Sequence, residues 1–316
     1  MLKKGRADMK VYRSALTKIN SESAVALGCF DGVHIGHSEI ISKAVSEAKN
    51  NNLSSVIWSF QAPPKSFFEA EGALAIGLLT SLYEKKRIIR ALGADILVSI
   101  DFNEKIARLS PREFFENILI KRLNAKMIFC GFNYRFGHKG EGDVALLRKL
   151  CEEYGVALTV IEEITVDEKT VCSSAIRKYL AEGNIETANA MLGRAFSLRG
   201  KIKDGQHLGR RLGFPTVNQD HPEEKAKLKN GVYLTRVKFC GKTRYGVTNI
   251  GLRPTVEGKG TLCETHILNF NGNLYGKTVT VEFLKFLRPE KKFSSLDDLT
   301  RQVNEDIKTA KESIKV

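Results

Sequence analysis

Residues Ala24-Val25-Ala26-Leu27-Gly28-Cys29-Phe30-Asp31-Gly32-Val33-His34-Ile35-Gly36-His37 run from an apolar strand through a glycine-punctuated loop to a helix start. The helix is read as beginning near His37. Ile40, Ile41, Ala44, Val45 and Ala48 then fall on one face, the spacing of a helix packed on a core. The free N–H groups of a helix start favour phosphate. His34 and His37 add two imidazoles, which can donate hydrogen bonds to a triphosphate and offset charge as pyrophosphate leaves. Gly28 and Gly36 are read as allowing close approach of backbone and nucleotide.

Further along, strand-like and helix-like segments alternate as far as about residue 185. Ser55–Phe60, Ile96–Ile100, Met127–Cys130 and Ala157–Ile161 are short apolar runs. Ser81 and Glu84 form a capping box before Lys85–Leu92, with Gly93 as a stop. Ser110-Pro111-Arg112-Glu113 opens a helix over Phe114–Leu123, and Asp143 caps one over Val144–Tyr154. This alternation predicts βαβ units and a parallel, Rossmann-like sheet, hence an α/β domain over 1–185.

From Phe196 the period changes. Gly231–Phe239, Arg244–Asn249, Leu262–Leu268 and Thr278–Phe286 read as strands, with hairpin turns at Gly241-Lys242 and Asn271-Gly272-Asn273. A small antiparallel β-barrel over 186–316 follows, ending in a helix from Ser295. Within it, Gly205 and Gly209 bracket a loop able to wrap phosphates. Thr216 and Asn218 alternate along one extended segment, so both leave one face and offer hard oxygen ligands to Mg²⁺.

The chain of 316 residues is 42% hydrophobic, enough for two cored domains, and carries a net +14. Residues 1–185 hold 26 Lys/Arg against 22 Asp/Glu, a net of +4; residues 186–316 hold 24 against 14, a net of +10. Such charge suits polyanions, from nucleic acid to small phosphorylated substrates. No apolar stretch approaches the ~20 residues of a membrane span, and no apolar h-region follows the basic N-terminus. Six cysteines with no close pair read as reduced thiols of a cytoplasmic protein rather than a zinc site.

The Phe30-Asp31-Gly32-Val33-His34-Ile35-Gly36-His37 run resembles the nucleotidyltransferase superfamily shared with class I aminoacyl-tRNA synthetases. More narrowly, it resembles the flavin-nucleotide adenylyltransferase domain of bacterial bifunctional riboflavin kinase/FAD synthetases. Gly131-Phe132-Asn133-Tyr134-Arg135-Phe136-Gly137 and Cys172-Ser173-Ser174-Ala175-Ile176-Arg177 are similar to two later motifs of that family, with Cys172 at a position usually Ser. Leu212–Asn218, Asn249–Thr255, Glu264–Leu268 and Phe286–Phe293 are similar to its riboflavin kinase signatures.

The resemblance implies an enzyme that phosphorylates riboflavin to FMN with Mg–ATP and then joins AMP to FMN. It places nucleotide at Gly28, Phe30, Asp31, Gly36, Ser173, Ser174, Gly205 and Gly209, and flavin at Asn133, Arg135, Phe136 and Arg253. It gives Arg177 the leaving pyrophosphate, Thr216 and Asn218 the metal, and Glu264 the role of base. Two rivals remain at this point: another adenylyltransferase of the same histidine motif, or a synthetase-like enzyme whose basic barrel binds RNA, and a plain nucleic-acid module. The second lacks any RNP-like aromatic run, so neither nucleic acid nor membrane is expected as a partner.

Overall fold

In the computed structural model, which describes residues 8–64, 77–204, 209, 212–252 and 261–314, the first compact unit (Met1–Ser173) is built on a parallel sheet. Its strands are β1 (Lys10–Tyr12), β2 (Ser23–Leu27), β3 (Ser54–Phe60), β4 (Ile96–Ile100), β5 (Ala125–Gly131) and β6 (Ala157–Ile161). They lie side by side in the order β1-β4-β3-β2-β5-β6. Apolar residues occupy both faces, as a sheet covered on both sides requires. Ala24 and Ala26 of β2 belong to one core cluster, Val25 and Leu27 to the other.

α1 (Ile35–Asn50) packs on β2, β3 and β5 through Ile40, Ile41, Ala44 and Ala48. The next helices are α2 (Leu82–Leu92), α3 (Pro111–Glu113) and α4 (Val144–Glu153). Ser81/Glu84 and Ser110/Glu113 are both reciprocal capping boxes, and Asp143 caps α4. After α3 the chain winds as a π-helix over Phe114–Ile120, where an α-helix was expected; the wider turn buries Phe114, Phe115, Ile118 and Leu119 together. β1 and a small hairpin, β7 (Thr165–Val166) with β8 (Lys169–Thr170), carry too few apolar residues to announce themselves.

Strand order reverses between β2 and β5. From β2 the chain steps outward through β3 and β4, then returns to place β5 and β6 on the other side. The crevice beyond the carboxyl ends of β2 and β5 is therefore where such a sheet binds ligands.

The second unit (Ser174–Val316) holds most of α5 (Ser173–Glu182), then α6 (Ile185–Leu192) and six strands. These are β9 (Phe196–Lys201), β10 (Thr216–Asp220), β11 (Gly231–Phe239), β12 (Lys242–Leu252), β13 (Thr261–Ile267) and β14 (Thr278–Pro289), followed by α7 (Leu296–Ile314). The sheet is antiparallel in the order β10-β13-β12-β11-β14-β9. It curls until Lys203, beyond β9, donates its N–H to the Asn218 carbonyl of β10 at 2.8 Å, giving a half-barrel.

This unit begins ahead of the 185/186 border read from the change in period, because both linking helices bond to the second sheet's segments. The Lys229 N–H donates to Leu180 O (3.1 Å). The Asn189 side chain donates to Phe283 O (2.8 Å) and accepts from the Phe196 N–H (2.7 Å).

One barrel face carries Val232, Leu234 and Val247, covered by Ile307 and Ala310 of α7. Arg288 of β14 holds both carboxylate oxygens of Asp306 on α7, at 2.8 and 2.7 Å. The other face is partly polar: Thr235, Thr248 and Thr265 form a buried chain of hydroxyls at 2.8 and 2.9 Å. The expected hairpin at Asn271-Gly272-Asn273 is not one. Both sides of β13 are taken, by β10 and β12, so the connection carries the chain across to β14, which pairs with β11 and β9. The hairpin expected at Gly241-Lys242 does form, but its turn lies one residue earlier, at Cys240-Gly241 with φ of 46° and 72°, because Lys242 already pairs with Phe239.

Candidate active sites

At the end of β2 the chain makes a sharp loop. Phe30, Gly32 and Val33 all have positive φ (51°, 84° and 38°), a conformation that costs energy at Phe and Val and is typical of functional loops. The loop is tied at several points. The Asp31 carboxylate, 2% exposed, accepts from the Leu79 and Thr80 N–H groups at 3.1–3.2 Å. The Gly32 N–H donates to the Thr80 hydroxyl (3.1 Å), and the Ser173 hydroxyl donates to the Asp31 carbonyl (3.0 Å).

Phe30 is fully buried. Its ring folds over Gly28, where a Cβ would lie 2.8 Å from it, so the backbone there must be glycine. Three residues read as nucleotide contacts, Gly28, Phe30 and Asp31, thus shape the loop, because their free volume or polar atoms are used inside the protein. Gly36 sits in the first turn of α1 against the His34 ring.

α1 starts earlier than the sequence suggested, because His34 is itself the N-cap. Its Nδ1 accepts the His37 N–H at 3.2 Å. That bond fixes the tautomer: in the neutral ring the proton lies on Nε2. The two imidazoles stack at 3.6 Å between centroids, 17° from parallel. The Phe30 ring meets His37 edge-on at 5.3 Å.

The sequence reading missed Lys85 of α2. Only 1% exposed, it donates from Nζ to Cys29 O (3.0 Å) and Phe60 O (2.7 Å), bridging the chain ends beyond β2 and at β3. Burial pulls its pKa below the usual lysine value. Ser59 donates to the same Cys29 carbonyl at 2.7 Å.

Across the crevice, the loop after β5 exposes Asn133 and Arg135. Phe136, expected on the flavin, is buried: it stacks on Tyr134, packs against Phe114 and pairs its backbone with Gly142. The exposed aromatic there is Phe132; the bridge between Phe136 and Gly142 turns the second ring inward, which a short window of sequence does not reveal. Ser173, Ser174 and Arg177 lie on α5, with Arg177 one turn from Ser173.

In the second unit the register assembles the other expected group. Asn218 on β10 faces Glu264 on β13, which faces Asn249 on β12. Directly opposed residues share a face, so an amide, a carboxylate and a second amide form one rung. Burial raises the Glu264 pKa, making it a stronger proton acceptor. Among the described residues the buried Asn218 Oδ1 has no hydrogen-bond partner, and Thr216 lies two residues away on the same face. An orphaned amide oxygen beside a hydroxyl fits a hard cation. Among the described residues no cluster of three His, Cys, Asp or Glu could cage a metal.

A cavity of about 290 Å³ opens beside Thr216 and Asn218, lined also by Phe270, Asn273, Leu274 and Tyr275. His266 anchors its edge through a hydrogen bond between Nδ1 and Pro215 O (3.0 Å). Gly209 lies close under Phe214, where a Cβ would be 2.6 Å from the Phe214 carbonyl oxygen. Gly205 and Arg253 lie outside the described residues.

Residues 16–175 match the family of FAD synthetases and residues 192–314 that of riboflavin kinases. A bifunctional riboflavin kinase/FMN adenylyltransferase from Buchnera aphidicola (subsp. Schizaphis graminum) is 38% identical, over 96% of this chain and 98% of its own. The Escherichia coli K12 protein of that name is 35% identical over 96% and 97%, and the Bacillus subtilis one 32% over 90% and 90%. A solved structure described as a macrolide-efflux protein from Streptococcus pneumoniae superposes with a TM-score of 0.88 at 28% identity, over 96% of this chain and 99% of that one. Among the described residues no helix here is long and apolar enough to cross a membrane.

Proposed function

The chain belongs to the family of bifunctional riboflavin kinase/FMN adenylyltransferases, which build FAD from riboflavin by way of FMN, and on that premise we propose which residues carry each step. Phosphoryl transfer falls to the second unit. Glu264 takes the proton from the riboflavin 5′-hydroxyl as that oxygen attacks the ATP γ-phosphorus; the bond to the β,γ-bridging oxygen breaks and ADP leaves. Thr216 and Asn218 would hold Mg²⁺, which when bound offsets phosphate charge. The cavity beside them receives the nucleotide. Arg253 is assigned to the flavin and the Gly205–Gly209 loop to the phosphates by sequence pattern.

Adenylyl transfer falls to the crevice beyond β2 and β5. An FMN phosphate oxygen attacks the ATP α-phosphorus, the bond to the α,β-bridging oxygen breaks, and pyrophosphate leaves. His34, through Nε2–H, and His37 donate to the phosphate oxygens as charge builds. Asn133 and Arg135 border the flavin. The sequence pattern assigns Ser173, Ser174 and Arg177 to the phosphates. Among the described residues the cysteines form no disulfide, which supports a cytoplasmic setting.

One observation carries this reading: the first unit sets the histidine pair at a strand-order reversal, and the second sets the Asn–Glu–Asn rung beside a cavity. Incubation with riboflavin and Mg–ATP, followed by chromatography, should give FMN and then FAD. Absence of both products overturns the reading.

A further inference from the structure

Among the described residues Lys85 is the most deeply buried cation of the first unit, and nothing in the chemistry above uses it. A buried ammonium is costly to keep, so its bonding shows what it is kept for. Its two carbonyl partners, Cys29 and Phe60, lie where neighbouring parallel strands end and the chain paths diverge. The β2–β3 pairing itself runs only as far as Leu27 and Trp58. Cys29 immediately precedes Phe30, whose left-handed backbone and buried ring set the edge contact with His37. Pinning the Cys29 carbonyl, with Ser59 on the same oxygen, fixes the peptide plane from which Phe30 turns. The Asp31 ties then hold the far side of the turn.

We propose that Lys85 is a positioning residue for adenylyl transfer: its ammonium clamps the ends of β2 and β3 and thereby holds the Phe30 turn that orients the stacked His34–His37 pair. The proposal deepens the reading of that pair as the adenylyl-transfer site and rests on it. A misplacement of about 1 Å can cost on the order of a hundredfold in rate. Lys85→Met keeps the aliphatic stem and removes every donor. In the full chain, FAD formation from supplied FMN should fall about a hundredfold in kcat. The KM for ATP should change by less than about threefold, because among the described residues Lys85 bonds to the Cys29 and Phe60 carbonyls and phosphate binding is uniform binding that it does not supply. FMN formation from riboflavin should be unchanged.

The single tryptophan, Trp58, is buried on β3 two residues from Phe60, so its emission reports whether the strand remains packed. Native emission with FAD formation within threefold of wild type overturns the proposal. So does a loss that appears in KM alone. Should Lys85→Met unfold the unit, Ser59→Ala decides: it removes the second donor to Cys29 O, and an unchanged kcat for FAD formation overturns the clamp. His37→Ala is run in parallel. Full FAD synthesis in that variant would sink the site assignment itself, whereas full synthesis in the Lys85 variant alone sinks only the clamp.

Discussion

At the scale of single residues, Glu264, proposed as the base, shows how burial changes an ordinary carboxyl. On a solvated strand face it would titrate near 4.5, but burial raises it, and a higher pKa draws the hydroxyl proton more strongly. The same burial weakens the fold. The native carboxyl binds its proton more tightly than the unfolded one. Stability therefore falls as pH rises through the interval between the unfolded and folded pKa values, and stays lower above it. Glu264→Gln should accordingly abolish FMN formation, leave FAD synthesis from supplied FMN intact, and raise the Tm of the second unit at pH 7. Well below pH 4.5, where Glu264 is protonated, the Tm advantage should vanish. Thermal unfolding at the two pH values checks the sign; a lower Tm for the Gln variant at pH 7 would show that the carboxylate stabilises the fold.

At the scale of elements, what could be read beforehand depended on whether the signal was local. Capping boxes at Ser81 and Ser110, the Asp143 cap and the apolar runs of β2 to β6 are written within a few residues, and the structure keeps them. The π-helical winding after α3, the crossing after β13 and the burial of Phe136 are decided by packing partners far along the chain, and no short window holds them. The same holds for sites. His34, His37 and Glu264 stood out by pattern, yet the capping role of His34, the use of Asp31 as a tether and the clamp at Lys85 needed three dimensions. Arg288 is a further instance: noted only within the Phe286–Phe293 signature, it is in fact the fork that holds Asp306 of α7, whose side chain is 6% exposed. Arg288→Met would leave that carboxylate buried and unpaired, at a cost of about 3–5 kcal/mol. Urea unfolding of the second unit should show the loss, and Arg288→Met combined with Asp306→Leu should recover most of it. A loss equal in the single and double variants would mean that packing, not charge pairing, attaches the helix.

At the scale of the whole molecule, the net +14 first suggested nucleic acid, and the division of that charge then placed +10 in the last 131 residues. The substrates of both steps include anions, ATP throughout and FMN in the second, and a basic surface raises their local concentration. Each unit carries its own core; the histidine pair lies in the first and the Asn–Glu–Asn rung in the second. FMN is the product of one and the substrate of the other, and neither step needs a covalent enzyme intermediate. Two damaged chains should then complement one another. Glu264→Gln makes no FMN but can adenylylate it; His37→Ala makes FMN but cannot use it. Neither alone should yield FAD from riboflavin and Mg–ATP. Mixed, they should, after a lag that shortens as both proteins are concentrated, because FMN must cross the solution between chains. Chromatography of the time course measures this. A mixture that accumulates FMN without forming FAD would mean that the adenylyl-transfer site accepts FMN only from its own chain, and the two units could no longer be treated as enzymes joined by a freely diffusing intermediate.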